Sequence, residues 1–432
     1  MQTFVWSDLN ASQREAALAR PAAMLDDTVI TSVKAIMADV RARGDDALRD
    51  FTAKFDGATL TDIRVPAGDL EAAWDDLDAG DKIAMKTAKA NIEAFHAAQM
   101  PAVINMDVMP GVTCRREPRA LDSAGLYVPG GTAPLVSTMM MLALPARIAG
   151  VEKRVVCTPP LPSGKINSTI LAAAYMCDIT EVYAVGGAQA VAAMAYGTQS
   201  VPKVAKIFGP GNAWVATAKS LAAQEPGGPA IDLPAGPSEA MVCADDEANA
   251  VFVASDLLSQ AEHDKVAQVV AVVKSKAYAD KLSEEIERQV ATLPRVDIAR
   301  ASLKSGRIFI APDDDAMLDI INAYAPEHLI LQTQNAESLV KDIRNAGSVF
   351  VGQWTPESVG DYASGTNHTL PTYGAARAYS GVTLESFMTY MSVQTLTRAG
   401  LEALGPTVER LADMEGLEAH RRAVSLRLES KA

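Results

Sequence analysis

The chain has 432 residues, of which 49% are hydrophobic and 21% are charged, and its 53 acidic and 39 basic residues give a net charge of −14. A chain of this length exceeds what one hydrophobic core supports, which predicts several structural units, and its apolar content excludes extensive disorder. No run of lysine or arginine interrupts the negative charge, so the surface repels phosphate backbones and no nucleic-acid partner is expected.

The first residues carry neither the basic start nor the apolar core of a secretory signal, which predicts a cytoplasmic protein. The most apolar stretches, around 135–148 and 182–196, are short and broken by Gly, Pro or polar residues, so no membrane partner is expected. Four scattered cysteines without a CxxC pair are typical of reduced, structural thiols.

Helices are predicted for the first hundred residues. Asp26 and Asp27 can cap a helix whose apolar residues keep a helical period until Gly44 ends it. A second helical block runs from about 79 to 100, and His96 in this block is interpreted as an ordinary helix residue.

From about Ser123, short apolar strands alternate with helices of small residues. Strands are predicted at 124–128, 154–158, 181–185 and 204–208, and helices at 188–195 and 212–222. A second set comprises helices at 254–271 and 277–292, strands at 307–311 and 348–351, and a helical, amphipathic tail from about Thr383. This alternation predicts a parallel, doubly wound α/β fold with ligands at the carboxyl ends of the strands.

The five histidines are the most informative residues, and four of them lie in the second half of the chain, each with a carboxylate nearby. One of these, His263, follows Gln260 by three residues on a predicted helix, so both side chains can face one metal ion. Taken alone, such a pair is more often two polar residues on a solvated helix face.

Glu327 and His328 stand next to each other in a predicted turn after a helix. Adjacent side chains point in different directions, so the pair suits two separate proton-transfer roles better than a shared metal. An exposed Glu-His pair in a loop is the alternative interpretation.

Two further segments, 360–368 and 415–420, each contain a carboxylate and an imidazole. An aspartate, two histidines and the neutral oxygen of Gln260 from these and the preceding segments form a mixed nitrogen and oxygen donor set that zinc or manganese accepts. The zinc-protease motif HExxH is absent from the sequence.

Three glycine turns, 128–131, 185–187 and 208–212, can bring backbone amides to a phosphate at a helix start. None of them matches GxGxxG, so tight turns between strand and helix are the commoner interpretation. The residues by themselves indicate an α/β metalloenzyme and do not specify hydride transfer.

These segments together resemble the histidinol dehydrogenase family. The run Ile231–Glu239 (IDLPAGPSE), followed by Gln260–His263 (QAEH), is similar to the family signature. Further similar segments follow in order over nearly the whole chain: YVPGG at 127–131, GGAQ at 186–189, GPGN at 209–212, PEHL at 326–329, SGTNH at 364–368 and EGLEAH at 415–420.

The resemblance implies an NAD-dependent oxidoreductase that converts L-histidinol through L-histidinal to L-histidine with two NAD, the last step of histidine biosynthesis. In this family His328 would act as the base in both oxidations, and Glu327 would activate the water that attacks the aldehyde. The implied ligands of one zinc ion per subunit are Gln260, His263, Asp361 and His420.

The resemblance also implies that the metal ligands and His328 contact the substrate, together with Ser238, His368 and Glu415. The implied NAD site is lined by Tyr127, Gln189 and Asn212. The family forms a homodimer whose C-terminal segment reaches into the partner's site, which implies that His368, Glu415 and His420 act in trans.

The implied fold has two Rossmann-like parallel-sheet domains, similar to those of aldehyde dehydrogenases, with small helical segments at both termini. The predicted division is an N-terminal helical segment 1–24, a catalytic domain 25–126 plus 239–382, an NAD-binding domain 127–238 and a helical tail 383–432.

Two alternatives stay open. One is a zinc and NAD dehydrogenase of the same fold that oxidises another small polar alcohol, such as sulfopropanediol; the His368 loop combined with Glu415 favours the imidazole-bearing substrate. The other is a metal-binding protein without catalysis, which leaves the Glu327–His328 pair and the glycine turns unexplained.

Overall fold

The computed structural model describes residues 1–20, 27–130, 134–234 and 236–430. Contacts group the chain into two compact units, Met1–Gln99 with Asp122–Phe387, and Met100–Leu121 with Met388–Ala432. Among the described residues, no helix combines the length and the apolar character that crossing a membrane requires.

The N-terminal part of the first unit is mainly helical, as predicted. Its elements are the strand β1 (Gln2–Val5) and the helices α1 (Ala11–Leu18), α2 (Asp27–Arg43), α3 (Asp45–Phe55), α4 (Ala67–Asp75) and α5 (Ala79–Ala97). Helix α2 buries the stripe that its periodicity predicts, and Gly44, with φ +59°, follows its last residue. The predicted cap Asp26 lies outside the described residues. The wholly helical prediction for 1–24 is wrong at β1, which is too short to show a strand pattern.

A five-stranded parallel sheet follows, in the order β6-β5-β4-β7-β8. Its strands are β4 (Ser123–Tyr127), β5 (Lys153–Thr158), β6 (Glu181–Ala184), β7 (Lys206–Phe208) and β8 (Ala230–Ile231). The accompanying helices are α6 (Val136–Ile148), α7 (Ser168–Met176), α8 (Gly187–Tyr196) and α9 (Ala213–Gln224). The predicted alternation of strand, glycine turn and helix is confirmed here.

A six-stranded parallel sheet has the order β1-β11-β10-β9-β12-β13. Its later strands are β9 (Glu239–Ala244), β10 (Gln268–Val273), β11 (Arg307–Ile310), β12 (His328–Gln332) and β13 (Ser348–Val351). Its helices are α10 (Ala250–Ala261), α11 (Lys276–Val290), α12 (Val296–Ser305), α13 (Asp314–Tyr324), α14 (Ala336–Leu339) and α15 (Glu357–Tyr362). Two parallel sheets with helices between their strands confirm the predicted α/β class.

The helix predicted over 254–271 is wrong in its second half. Helix α10 ends at Ala261, and Gln268–Val273 forms β10, a fully buried strand in the interior of the sheet. A continuous apolar run has no period that separates a buried strand from a buried helix. The valines of this segment are the signal that favours a strand.

The second unit contains an antiparallel sheet in the order β14-β3-β2 and two helices. Its elements are β2 (Ile104–Met109), β3 (Val112–Ala120), β14 (Met388–Leu396), α16 (Arg398–Met414) and α17 (Glu418–Glu429). The tail from Thr383 is therefore not wholly helical: β14 pairs with β3 along its whole length, a partner that the tail sequence alone does not reveal.

The packing of α2 and α3 differs from the predicted division of the chain. The prediction places residues 25–126 in the catalytic domain, but Val33, Ile36 and Leu48 of these helices share a buried core with Val155 and Val191 of the five-stranded sheet's layer. Residues 100–121 group with the C-terminal segment. The assignment of a catalytic and an NAD-binding domain stays a functional prediction.

Asp56, just after α3, makes the stability of the fold depend on pH. Its Oδ2 atom is buried without a hydrogen-bond partner among the described residues, and burial raises its pKa from 3.8 to about 6. As the pH rises from about 4 to about 6, the unfolded chain loses this proton before the folded chain does, so the free energy of unfolding falls. Asp56→Asn is expected to remove this fall in the free energy of unfolding and to stabilise the protein at pH 7 by on the order of 1 kcal/mol. This figure is smaller than the pKa shift alone would give, because Asp56 is partly exposed to solvent.

Urea unfolding of the wild type and Asp56→Asn at several pH values between 4 and 7 measures this difference. The control is Asp62→Asn at a nearby exposed aspartate. If the free energy of unfolding of Asp56→Asn relative to the wild type does not increase between pH 4 and pH 6, the raised pKa of Asp56 is contradicted.

Candidate active site

The first unit contains a cavity of about 650 Å³ whose walls come from both parallel sheets. That volume is typical of sites that hold a small molecule or a cofactor. Most of the predicted site residues line it: Tyr127, Asn212, Ser238, Gln260, His263, Glu327, His328, Asp361 and His368. Residues far apart in sequence therefore meet in one place.

The remaining predicted residues, Gln189, Glu415 and His420, are not part of this lining. Gln189 is buried in the first turn of α8, close to Gly187, whose amide donates to the hydroxyl of Tyr127 at 3.2 Å. Glu415 and His420 belong to the second unit and are exposed, so their roles stay predictions.

His368 was predicted to act in a partner's site, but it lines the cavity of its own chain. Its Nε2 lies 3.4 Å from Thr138 Oγ1 of α6. The preceding residue, Asn367, is buried and donates to the carbonyl of Met141 at 2.6 Å. This buried anchor on α6 orients the loop so that the imidazole of His368 faces the cavity.

The position of the site relative to the strands differs between the two sheets. In the five-stranded sheet Tyr127 ends β4 and Asn212 follows β7, so the expected carboxyl edge lines the cavity. In the six-stranded sheet Ser238 precedes β9 and His328 begins β12, so the amino ends of the strands line it. The expectation of a carboxyl-end site is wrong for this second sheet.

The Glu327–His328 pair follows a sharp change of chain direction. Helix α13 ends at Tyr324, Ala325 adopts the left-handed conformation with φ +54°, and His328 is already the first residue of β12 rather than part of the predicted turn. Both side chains are buried. The interpretation as an exposed loop pair is therefore wrong.

Glu239, the first residue of β9, contacts both members of the pair through its backbone. Its N–H donates to Glu327 Oε2 at 2.7 Å, and its carbonyl oxygen accepts from His328 Nδ1 at 3.0 Å. Because Nδ1 carries the proton of that bond, Nε2 is the free nitrogen of neutral His328. Nε2 is buried and has no hydrogen-bond partner among the described residues, although Asp361 Oδ1 lies 3.4 Å away.

Several carboxylates surround this imidazole. Glu357 and Glu327 lie 3.6 Å and 3.7 Å from His328 Nδ1. Burial alone lowers the pKa of His328, but Glu357, Glu327 and Asp361 outweigh it and raise the pKa well above its ordinary value. Burial also raises the pKa of Glu327 to about 8, although His328 opposes that change.

Glu357 is a site residue that the sequence analysis missed. It precedes Asp361 by four residues on α15, and both side chains face His328. One ligand atom each of Glu357, His328 and Asp361 lies within 4.8 Å of the others, a spacing that a metal ion can bridge. The spacing of four residues between two acids on one helix face was the available signal.

The predicted metal ligands Gln260, His263 and Asp361 come together at the cavity wall. Helix α10 ends at Ala261, so His263 lies in the turn after the helix rather than on the predicted helical face; its amide donates to the carbonyl of Gln260 at 3.2 Å. Gln260 is buried, and its amide nitrogen has no partner among the described residues. The turn, and not helical spacing, brings His263 to the same wall.

A glycine turn in the five-stranded sheet is held by a buried ion pair that the sequence did not indicate. The Nζ of Lys219 contacts Asp232 and donates to the carbonyl of Gly209 at 2.8 Å, and the amide of Gly209 donates to Asp232 at 2.7 Å. Asn212 follows the turn and caps α9, because its side chain accepts from the amides of Trp214 and Val215. Of the first glycine turn, Gly131 lies outside the described residues.

Gly209→Ala tests the close packing of this turn. Gly209 has φ +121°, and a Cβ atom there would lie 2.1 Å from the carbonyl oxygen of Tyr127. We expect Gly209→Ala to lower the free energy of unfolding by roughly 2–4 kcal/mol, measured by urea unfolding. The control Gly227→Ala has φ +73° and no atom within 4 Å of the new Cβ, so only the smaller conformational cost remains. Equal effects of both substitutions would refute the steric argument.

The comparisons with known proteins agree with one another. A family model described as histidinol dehydrogenase matches residues 19–428. Histidinol dehydrogenase from Salmonella typhimurium is 50% identical over 423 residues, which cover 98% of this chain and 96% of that protein. The enzyme of the same name from Yersinia pestis is 49% identical over 98% of this chain and 95% of its own length.

Similarity extends to the three-dimensional structure. The crystal structure of histidinol dehydrogenase from Elizabethkingia anophelis superposes with a TM-score of 0.95 at 43% sequence identity, covering 99% of this chain and 98% of that one. The sequence match, the structural match and the grouping of the motif residues in one cavity lead to the same assignment. The chain belongs to the histidinol dehydrogenase family of oxidoreductases.

Proposed function

We propose that this protein oxidises L-histidinol through L-histidinal to L-histidine, using two NAD and one zinc ion per subunit, as the last step of histidine biosynthesis. The observation that carries the proposal is the buried Glu327–His328 pair in the same cavity as Gln260, His263 and Asp361. The similarity to proteins named histidinol dehydrogenase over nearly their whole length supports the choice of substrate.

The donor residues fit a zinc ion. The unpartnered amide of Gln260 can present its oxygen to a cation, because the nitrogen and oxygen of an amide exchange places by a flip. The imidazole of His263 and the carboxylate of Asp361 add the nitrogen and oxygen donors that zinc accepts, and His420 is the proposed fourth ligand. A zinc ion held there would anchor the substrate's imidazole and amine and, by its charge, lower the pKa of His328 toward the range of a general base.

His328 is the proposed base of the first oxidation. Its Nδ1 proton is committed to the carbonyl of Glu239, so Nε2 is the atom that accepts the proton of the substrate alcohol. NAD bound in the same cavity would accept the hydride of the C–H bond, which would leave the aldehyde.

Glu327 is the proposed base of the water addition. Its Oε2 accepts from the amide of Glu239, which leaves Oε1 free to take a proton from the water that attacks the aldehyde. Burial raises the pKa of Glu327 to about 8, so its deprotonated carboxylate is a stronger base than an ordinary one. A second NAD would accept the hydride of the resulting gem-diol, and His328 would again accept the hydroxyl proton.

Charge and shape support a cationic alcohol as the substrate. Asp361 keeps a carboxylate beside His328 at the cavity, because its contact with His328 holds its pKa below the ordinary value despite burial, and this negative charge favours a ligand with an amine. Ser238 and His368 line the same cavity and are proposed to hold the substrate, together with Glu415. Tyr127, Gln189 and Asn212 are proposed to bind NAD, and Tyr127 and Asn212 line the cavity.

A homodimer with the C-terminal segment in the partner's site is part of this proposal, because the family resemblance implies that Glu415 and His420 act in trans. Glu327→Gln should form almost no L-histidine, and His420→Asn should be inactive. Mixing the two after unfolding and refolding should restore part of the L-histidine formation, since one site of the mixed dimer is intact. No recovery would indicate that each site is built from one chain. The cytoplasmic location stays a prediction.

A comparison of two substrates tests the function. Purified protein with zinc and NAD should form NADH with L-histidinol, and the rate with sulfopropanediol should be far lower, because that alcohol has neither imidazole nor amine. A higher rate with sulfopropanediol would indicate that this alcohol, and not L-histidinol, is the substrate. Zinc binding without NADH formation from either alcohol would favour a metal-binding protein without catalysis.

A further inference from the structure

We propose that the ion pair between Arg20 and Glu239 is a positioning device for Glu327 and His328, an inference that rests on the proposed function. Neither Arg20 nor Glu239 lines the cavity, so neither touches the substrate. Their effect passes through the backbone of Glu239, which bonds to both members of the catalytic pair.

Hydrogen bonds from two residues fix the side chain of Glu239. Its carboxylate is fully buried and accepts two hydrogen bonds from Arg20, one from Nε and one from Nη2 at 2.8 Å. It also accepts from the amide of Tyr373 at 3.1 Å. The planar fork of the guanidinium fixes both the distance and the orientation of the carboxylate, which a lysine does not reproduce.

Arg20 also holds the turn that leads into Glu327. Its Nη2 donates to the carbonyl of Tyr324 at 2.9 Å, and the guanidinium lies 3.8 Å from the centre of the Tyr324 ring. The next residue, Ala325, has φ +54°, a conformation that costs free energy for a residue other than glycine. One guanidinium thus joins the start of β9 to the strained turn before β12.

A second residue with a strained backbone also contacts the carboxylate of Glu239. Tyr373, whose amide binds Glu239, has φ +60°, also in the left-handed region. Backbone strain of this kind persists only where the surrounding structure holds it. Two strained residues and the two catalytic groups therefore depend on the same buried ion pair.

Stability alone does not account for this arrangement. A buried ion pair is often no more stabilising than a well-packed apolar pair, because both charges lose their hydration. The Arg20 guanidinium instead specifies an orientation: it determines that Glu239 presents its amide to Glu327 and its carbonyl to His328. That carbonyl selects the ring nitrogen of His328 that faces the substrate.

The test measures kcat and KM of Arg20→Ala and Arg20→Lys with L-histidinol. A small misplacement of catalytic groups costs roughly 100-fold in rate, so Arg20→Ala should lose about that factor in kcat with KM for histidinol and NAD nearly unchanged. Free guanidinium at millimolar concentration should raise the kcat of Arg20→Ala about tenfold. Methylammonium should not, because only guanidinium reproduces the planar pair of N–H donors of arginine. The pH dependence of kcat/KM should also shift, since the tautomer of His328 is no longer fixed.

Lys274→Met is the matched control, because Lys274 forms a partly buried ion pair with Asp314 in the same unit and neither residue lines the cavity. Its kcat should equal that of the wild type. If Arg20→Ala does not fold, the more conservative Arg20→Lys decides the question: a folded Arg20→Lys with reduced kcat and unchanged KM supports the proposal.

A folded Arg20 variant with wild-type kcat would overturn the inference, as would a variant that loses only thermal stability. Failure of the proposed function gives a different result, namely a wild-type protein that forms no NADH from L-histidinol.

Discussion

Glu327→Gln is expected to slow the oxidation of L-histidinal by roughly 1,000-fold, while the oxidation of L-histidinol to the aldehyde stays within about tenfold of the wild type. The amide of glutamine has the size of the carboxylate and can still accept the bond from the amide of Glu239, so the geometry of the pair is kept. It cannot take a proton from water, so only the second half-reaction loses its base.

Single-turnover experiments separate the two steps. With L-histidinol, Glu327→Gln should form about one NADH per site and release an aldehyde that an added amine reagent traps; with L-histidinal it should be almost inactive. Glu337→Gln makes the same substitution at an exposed glutamate of the same unit and should behave like the wild type. Equal losses in both steps would assign Glu327 a different role.

His263→Asn is the second substitution for which we expect a large effect. His263 lies in an exposed turn, so its replacement should leave the fold intact while it removes one donor of the proposed zinc site. We expect zinc affinity to fall by at least about 100-fold and turnover of L-histidinol to fall with it at limiting zinc.

Metal analysis after dialysis and thermal unfolding with and without zinc measure the affinity directly. If the proposed zinc site is correct, zinc should raise the unfolding temperature of the wild type, because a ligand that binds only the folded state stabilises it. Zinc should have little effect on His263→Asn at the same concentration. The control Asp264→Asn changes the neighbouring exposed residue in the same turn. Full zinc occupancy of His263→Asn would remove His263 from the ligand set.

Much of the fold could be predicted from the sequence where local pattern and packing agree. The strands and helices between Ser123 and Gln224 follow from apolar runs that end at glycine turns. Gln268–Val273 could not be separated from the preceding helix, because a strand buried on both faces has no alternating pattern. The strand Met388–Leu396 depends on its pairing with β3, a contact far along the chain.

The site was predictable to the extent that its residues stand in motifs. Gln260, His263, Glu327, His328 and Asp361 meet in one cavity, as the resemblance implies. Supporting groups such as Arg20, Glu239 and Lys219 were not predicted, because a buried charge in a sequence resembles an exposed one until its partner is known. Their partners come from other elements, so only the folded structure pairs them.

The central claim, a four-electron oxidation at one site, is tested most directly by the amount of NADH formed from a limiting amount of L-histidinol. With zinc and excess NAD, the wild type should form about two NADH and one L-histidine per L-histidinol, because each two-electron step reduces one NAD. One NADH per L-histidinol with L-histidinal as the product, or no NADH at all, would contradict the account.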